Sequence, residues 1–300
     1  MTRNLKGAGL VGIAVLATTL VPGTGTAEAS ANAACSLSLG AVTTAGDHKR
    51  QAVRATSPVS VSQPLVEPKG LFPVDQVRLA SGLGFEPDPP SAWEYRGYVT
   101  IANDLYAFDY AIDDTSGQLD PESYEKRKIG GGWTPEYTYF EESRFALRTN
   151  TYALRGDVIS RWTVDQGVWR NKATYSGYSA VKTMALISQT ATYDSFLATT
   201  RGGALYTIRI PLSGAPVVKK VRASTWQGFE TLIAEKCGNQ STLLLGIDKD
   251  TRTGYLYAVS HANGTATVIN GLGKVPTTFA DKTYFRYYAA GTEGTTLFGE

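Results

Sequence analysis

Residues 243–264 (LLLGIDKDTRTGYLYAVSHANG) carry the clearest pattern of apolar and polar positions in the chain. An apolar run, 243–247, is followed by a polar turn through Asp248, Lys249, Asp250 and Arg252 to Gly254. Residues 255–260 then alternate, with Leu256 and Ala258 on one side and Tyr255, Tyr257 and Val259 on the other. Period two predicts a strand, and Asn263-Gly264 supplies the next turn. The unit recurs as YVTIAN with LYAFDYAI from residue 98, as RFALR with GDVISRWTV from 144, as SFLATTR with GALYTIRI from 195, and as YFRYYAA with GTTLF from 284. Leu105, Val158, Leu205, Leu256 and Leu297 mark a repeat of about 41–53 residues, with no helical periodicity across the copies. Self-similarity at that length, with several strands per unit, predicts an all-β fold: a five-bladed β-propeller of four-stranded antiparallel blades.

The blades are expected at 93–131, 132–176, 177–224, 225–271 and 272–300, so the propeller domain spans 93–300. Residues 30–92 read as an irregular N-terminal arm rich in Ser, Pro and Val. The last copy lacks strands of its own, and a propeller closes when one terminus donates a strand to the other terminal blade. Residues 36–43 or 76–83 are the candidates for that strand.

Residues 1–29 read as a signal peptide: Arg3 and Lys6, an apolar run at 7–21, the Pro22-Gly23 break, and Ala27-Glu28-Ala29 as a small-residue cleavage site. The run is too short to span a bilayer, and Asn32 stands three residues before Cys35 where lipidation calls for Leu, so no membrane anchor is expected. A secreted, extracellular protein follows. In that compartment Cys35 and Cys237, the only cysteines, are expected to form a disulfide. Lys and Arg number 29 against 27 Asp and Glu, a balance that makes no electrostatic case for nucleic acid.

Near each blade junction stands an aromatic: Trp93, Gly132-Trp133, Gly177-Tyr178 and Thr225-Trp226. Such residues wedge adjacent sheets apart, or they form platforms for sugar rings, with amides and carboxylates such as Asn103, Asn150 and Asp250 bonding the hydroxyls. With the recurrent Leu105-Tyr106, Leu205-Tyr206 and Leu256-Tyr257, these junctions resemble the tachylectin-2-type β-propeller lectin family over 93–300. The resemblance implies metal-free binding of N-acetylated amino sugars, such as N-acetylglucosamine, in pockets between blades. Trp93, Trp133, Tyr178, Trp226, Asn103, Asn150 and Asp250 are then the ligand-binding candidates, for cell-surface or cell-wall glycans. The chain departs from that pattern where Val158-Ile159 replaces Leu-Tyr and Leu272 replaces the aromatic.

No metal or other cofactor is expected. Asp248-x-Asp250-x-Arg252 and the run 113–120 both lack the oxygen spacing of a calcium loop. No Gly-x-Ser-x-Gly pattern accompanies His48 or His261, so the primary reading is a binding protein with no catalytic residue. The alternatives are a glycoside hydrolase using acids near the axis, drawn from Asp104, Asp109, Asp157 and Glu142, and a scaffold for a protein partner.

Overall fold

A computed structural model describes residues 34–88, 92–113, 115–290 and 295–300. The signal-peptide reading of residues 1–29 lies outside the described residues. Within them the fold is all-β, with one 3-10 turn at Gly264–Ala266 and no α-helix.

Six strands come before Trp93: β1 (Ser36–Val42), β2 (His48–Arg54), β3 (Ser60–Val61), β4 (Leu65–Val66), β5 (Val77–Ala80) and β6 (Leu83–Asp88). The arm expected to be irregular is therefore built of strands. Its Pro- and Ser-rich segments are the links between short runs such as SLSLGAV, whose alternation carries Leu37, Leu39 and Ala41 into one core. The chain continues through β7 (Ala92–Ile101), β8 (Asp104–Asp113) and β9 (Glu125–Gly131).

Three four-stranded antiparallel sheets follow. The first is β10 (Tyr137–Phe145), β11 (Arg148–Arg155), β12 (Val158–Asp165) and β13 (Val168–Tyr175). The second is β14 (Val181–Gln189), β15 (Tyr193–Thr200), β16 (Leu205–Pro211) and β17 (Val217–Arg222). The third is β18 (Thr231–Cys237), β19 (Ser241–Asp248), β20 (Thr253–Val259) and β21 (Ile269–Lys274). The last strand, β22 (Thr283–Ala289), pairs antiparallel with β1, so that β22, β1 and β2, with β3 and β4 on its outer edge, form one set. A short parallel pairing of Tyr287–Ala289 with Leu83–Phe85 fuses this set to β6–β9 in a ten-stranded sheet.

Burial falls from the first strand of a sheet to the fourth. In the second sheet, β14 is buried almost throughout, whereas Val217-Val218-Lys219-Lys220 of β17 are exposed. The first strands also meet each other: β5 contacts β10, β10 contacts β14, β14 contacts β18, β18 contacts β22, and β22 contacts β5. Sheets arranged this way stand around a common axis with first strands innermost.

Strand periodicity explains the near-continuous apolar runs. In β14, Met184 and Leu186 pack toward β10–β13, while Ala185 and Ile187 pack toward β18–β21. Leu243 and Leu245 of β19 enter the core shared with β1 and β2, and Leu244 the core shared with β14–β17. A strand buried on both faces needs apolar side chains at every position.

Closure rests on β1. Its Gly40 lies opposite Phe285, and a Cβ there would come within 2.1 Å of the Phe285 ring. Immediately before β1, Cys35 is bonded to Cys237 at the end of β18, with Cα atoms 5.4 Å apart. Joining residues 202 apart restricts the unfolded chain strongly; the chain-entropy model assigns such a loop about 5 kcal/mol. Beside the closing pair, His48 is 1% exposed, shares a 2.7 Å hydrogen bond between Nδ1 and the Tyr110 hydroxyl, and stacks on Phe285. Burial, then the charge of Arg50, lowers its pKa to about 3.

Two expectations follow for stability. Gly40→Ala should cost about 1–3 kcal/mol in denaturant unfolding by overpacking against Phe285, with part of the loss recovered in Gly40→Ala/Phe285→Leu. The second concerns His48, which stays neutral in the folded state while the unfolded chain takes up a proton below its ordinary pKa of 6.5. Stability is thus lost as pH falls from 6.5 toward about 3, by up to about 5 kcal/mol. His48→Leu should flatten that limb in melts recorded across the range.

Candidate functional site

Each sheet turns from its first to its second strand at one end of the ring, and from its second to its third at the other. The junction aromatics belong with the second kind of turn. Trp133, Tyr178 and Trp226 donate backbone N–H groups to the carbonyls of Asn103, Asp157 and Gly203, in the second-to-third-strand turns of the preceding sheets, at 2.9, 3.0 and 3.0 Å. All three rings are buried, and Trp133 is enclosed by Tyr137, Phe140, Trp162 and Trp169. These aromatics fill the gaps between sheets.

The remaining sequence candidates are scattered. Trp93 lies in β7, partly exposed against the edge of Phe85. Asn103 and Asp250 are exposed in second-to-third-strand turns. Asn150 is buried, with its amide 3.3 Å from Asp194. That aspartate is fully buried and also accepts from Arg148, Ser143 and the Tyr152 hydroxyl, a network joining β10–β13 to β14–β17. Among the four acids weighed for hydrolysis, Asp104 pairs with Lys128, Asp109 lies in β8, and Asp157 accepts the Gly177 and Ser179 amides in its turn. Only Glu142 is on a first strand.

The opposite end of the ring, where first strands turn into second strands, holds three adjoining cavities. At the axis is a mouth of about 360 Å³ whose wall includes Arg96, Arg144, Gln189, Arg286 and Tyr288. Beside it, about 480 Å³ is bounded by Phe85, Glu235, Lys236, Tyr287 and Tyr288. Between the second and third four-stranded sheets runs a groove of about 590 Å³, lined by Tyr193, Arg209, Asn239, Gln240, His261 and Phe298, with Thr190 and Glu300. Such volumes suit small ligands.

Ion pairs organise the mouth. Arg286 makes a two-pronged contact with Glu235 at 3.0 and 2.7 Å, tying β22 to β18, and its guanidinium lies 4.7 Å over the Tyr288 ring. Burial works against the Arg286 charge, but Glu235 outweighs it and holds the pKa above the ordinary arginine value. Arg144 pairs through Nε with Glu142, which likewise outweighs the cost of burial, and Arg96 pairs with Glu86. Glu142 leaves Oε2 buried with no hydrogen-bond partner among the described residues. Burial and then the Glu142 charge push the Tyr288 hydroxyl up to about 12, so it remains a donor at neutral pH.

Below the mouth the first strands enclose a cavity of only about 90 Å³, room for a few waters and no sugar ring. Glu141 lines it. The inner strand of the adjoining sheet breaks between β5 and β6 at Ser81-Gly82, which frees the Gly82 N–H to donate to Glu141 Oε1 at 2.7 Å. The Glu142 amide donates to the same oxygen at 2.9 Å. Burial dominates these contacts and raises the Glu141 pKa to about 7.

The groove is differently built. The Arg209 guanidinium lies 4.3 Å over the Tyr193 ring and pairs with Glu300 at 3.2 Å, while the Tyr193 hydroxyl donates to the Glu300 carbonyl at 2.9 Å. Asn239 and Gln240 are exposed at its rim in the β18–β19 turn, and His261 follows β20. Arginine, amides, a carboxylate and two aromatics in one concave wall offer donors, acceptors and apolar surface together. His261 was visible as a turn residue, whereas Asn239 and Gln240 went unread, and nothing local signalled that they meet Tyr193 and Phe298.

No family model and no curated protein matches the chain. Among solved structures it is similar to an α-L-arabinofuranosidase from Podospora anserina in complex with cellotriose, at 12% identity over 70% of this chain and 73% of that one, TM-score 0.43. It is also similar to BP39L lectin from Burkholderia pseudomallei, at 14% identity over 81% of each chain, TM-score 0.44. A Hadza microbial sialidase matches at 10% identity over 74% of this chain and 55% of that one, TM-score 0.36. All three scores fall below 0.5.

Glu141 generates a pH-dependent prediction. Its raised pKa means that the folded state binds a proton between the ordinary value of 4.5 and about 7, where the unfolded chain does not. Stability from this group is therefore present at low pH and lost as pH rises through that window, by up to about 3 kcal/mol. Glu141→Gln, whose amide oxygen still accepts from Gly82, should gain about that much relative to the wild type between pH 4 and pH 8. Parallel pH dependence of the two proteins in chemical denaturation would show that Glu141 titrates normally.

Proposed function

We propose that this protein is a secreted carbohydrate-binding protein, built as a five-bladed β-propeller closed by β1 on β22, that binds cell-surface or cell-wall glycans. The cycle of contacts from β5 through β10, β14, β18 and β22 back to β5 supports the blade count. The groove carries the functional reading. It is an open concave wall of about 590 Å³ with Tyr193 and Phe298 for the C–H faces and methyl groups of a sugar, and Arg209, held by the buried Glu300, with Asn239 and Gln240 for its hydroxyl and amide groups. An N-acetylated amino sugar such as N-acetylglucosamine suits that mixture of apolar and hydrogen-bonding surface. Recognition of this kind needs neither metal nor catalyst.

Binding is favoured over hydrolysis by the depth of the acids. A glycosidase needs two carboxyl groups flanking the scissile bond. Here Glu141 borders a space of about 90 Å³, and the Glu142 side chain is 3% exposed behind Arg144.

The test is binding of the purified, disulfide-bonded protein to immobilised glycans, including chitin and peptidoglycan fragments, with free N-acetylglucosamine as competitor. Saturable binding is expected, weakened at least about tenfold by Arg209→Ala and by Asn239→Ala/Gln240→Ala, with folding unchanged for the exposed amide pair. Turnover of any glycan would establish a hydrolase instead. Absence of binding to every glycan would overturn the carbohydrate reading and leave a protein partner to be sought.

A further inference from the structure

Resting on the carbohydrate reading, we infer that the axial mouth is an anion subsite that takes the carboxylate of an acidic sugar residue, on a glycan whose neutral part lies in the groove.

The argument begins with which charges reach the cavity. Three guanidinium groups come from three separate strands: Arg96 from β7, Arg144 from β10 and Arg286 from β22. Their carboxylate partners do not all accompany them. Glu142 lines the small cavity beneath, and Glu235 faces the neighbouring space, so among the described residues Glu86 is the one carboxylate in the wall of the mouth. The buried carboxylates hold Arg144 and Arg286 in place and charged, while the described residues of the wall present three cations to one anion.

Donors remain available. Arg144 uses only Nε, on Glu142, and both of its Nη groups are without partners among the described residues. Arg286 spends Nε and Nη2 on Glu235 and the Thr295 carbonyl, which leaves Nη1 without a partner among the described residues. Planar guanidinium groups with unspent N–H groups match a carboxylate in both charge and geometry. Gln189 and the protonated Tyr288 hydroxyl lie in the same wall and suit the hydroxyls beside such a carboxylate.

The groove lies next door, which favours an oligosaccharide over a free anion. Gln189 borders the mouth and Thr190 the groove. Residues 295–300 run from one to the other, with Thr295 and Thr296 in the mouth and Phe298 and Glu300 in the groove. A chain of two or more sugars can therefore place an acidic unit over the arginines and a neutral unit on Tyr193 and Phe298.

The probe is a tetrasaccharide alternating glucuronic acid and N-acetylglucosamine, compared with the same molecule after its carboxyls are reduced to hydroxymethyl groups. Calorimetric titration of the disulfide-bonded protein should show the acidic form binding at least about tenfold more tightly at 20 mM salt, with the advantage shrinking at 200 mM. Arg144→Gln/Glu142→Gln, which removes the pair together and leaves no lone buried charge, should abolish the preference and leave affinity for the reduced form unchanged. Arg96→Gln, at a half-exposed position, should diminish the preference without endangering the fold. Equal binding of the two forms by the wild type would overturn the anion subsite and keep the carbohydrate reading. Binding of neither form, together with failure of neutral chitin oligosaccharides, would overturn both.

Discussion

The pairing of β1 with β22 is the contact on which the rest of the molecule depends. Every sheet in the ring is apolar on both faces, so none is satisfied by a single neighbour. Leu37 and Leu39 of β1 help close the core against β18–β21, and Val42 with Phe285 and Tyr287 helps close the core against β5–β8. Without β1, both cores lie open to water. The chain reinforces this contact twice: Gly40 lets the strand approach Phe285, and the Cys35–Cys237 bond ties the start of β1 to the far neighbour, β18.

Closure also decides where charge can be kept. A lone carboxylate in a sheet-to-sheet core would be expelled or neutralised, because the desolvation cost exceeds what one hydrogen bond returns. Near the axis, first strands from different sheets converge within reach of one another, so arginines and carboxylates distant in sequence can be matched. Glu235 of β18 with Arg286 of β22 is a product of that convergence, whereas Glu142 and Arg144 pair as near neighbours along β10. Asp194 follows the same logic one interface away, with Arg148, Ser143 and Tyr152 sharing its charge. His48 and Glu141 lack such matching, and burial controls their protonation.

Much of the fold was legible because its signal is local. The hairpin β19–β20 was plain from a run of Leu, a Gly-closed turn and an alternating Tyr-Leu-Tyr-Ala-Val, and β15–β16 from the same grammar. Residues 36–43 were legible as a candidate closing strand, but the other strands up to 88 were obscured because β3 and β4 are two residues each and because β5 and β6 share one inner-strand position, so no hairpin pattern survives there. The junction aromatics were found at the right positions, yet Trp133, Tyr178 and Trp226 face into the protein. Sequence spacing marks a recurring wedge but does not say whether its ring is covered. The mouth and groove were invisible for a different reason: Arg96, Arg144 and Arg286, like Tyr193, Asn239 and Phe298, are brought together by ring closure alone. Glu142 alone among the weighed acids stands near the axis, since only it occupies a first strand.

Residues 295–300 are a partition between mouth and groove, held by their own backbone: Gly299 donates to the Ile187 carbonyl at 2.8 Å and accepts from the Ala262 amide at 2.6 Å, and the Glu300 amide donates to Ser188 Oγ at 2.6 Å. A Cβ on Gly299 would lie 2.3 Å from Thr242 Oγ1 and 2.9 Å from the Ile187 carbonyl, so this strip cannot shift without moving both rooms it divides. Evolution, or an engineer, is therefore denied independent adjustment of the two cavities through this segment. Diversity in what the molecule recognises must instead be written into the hairpin tips around 146, which faces the mouth, and 239, which faces the groove, both of which leave the partition standing.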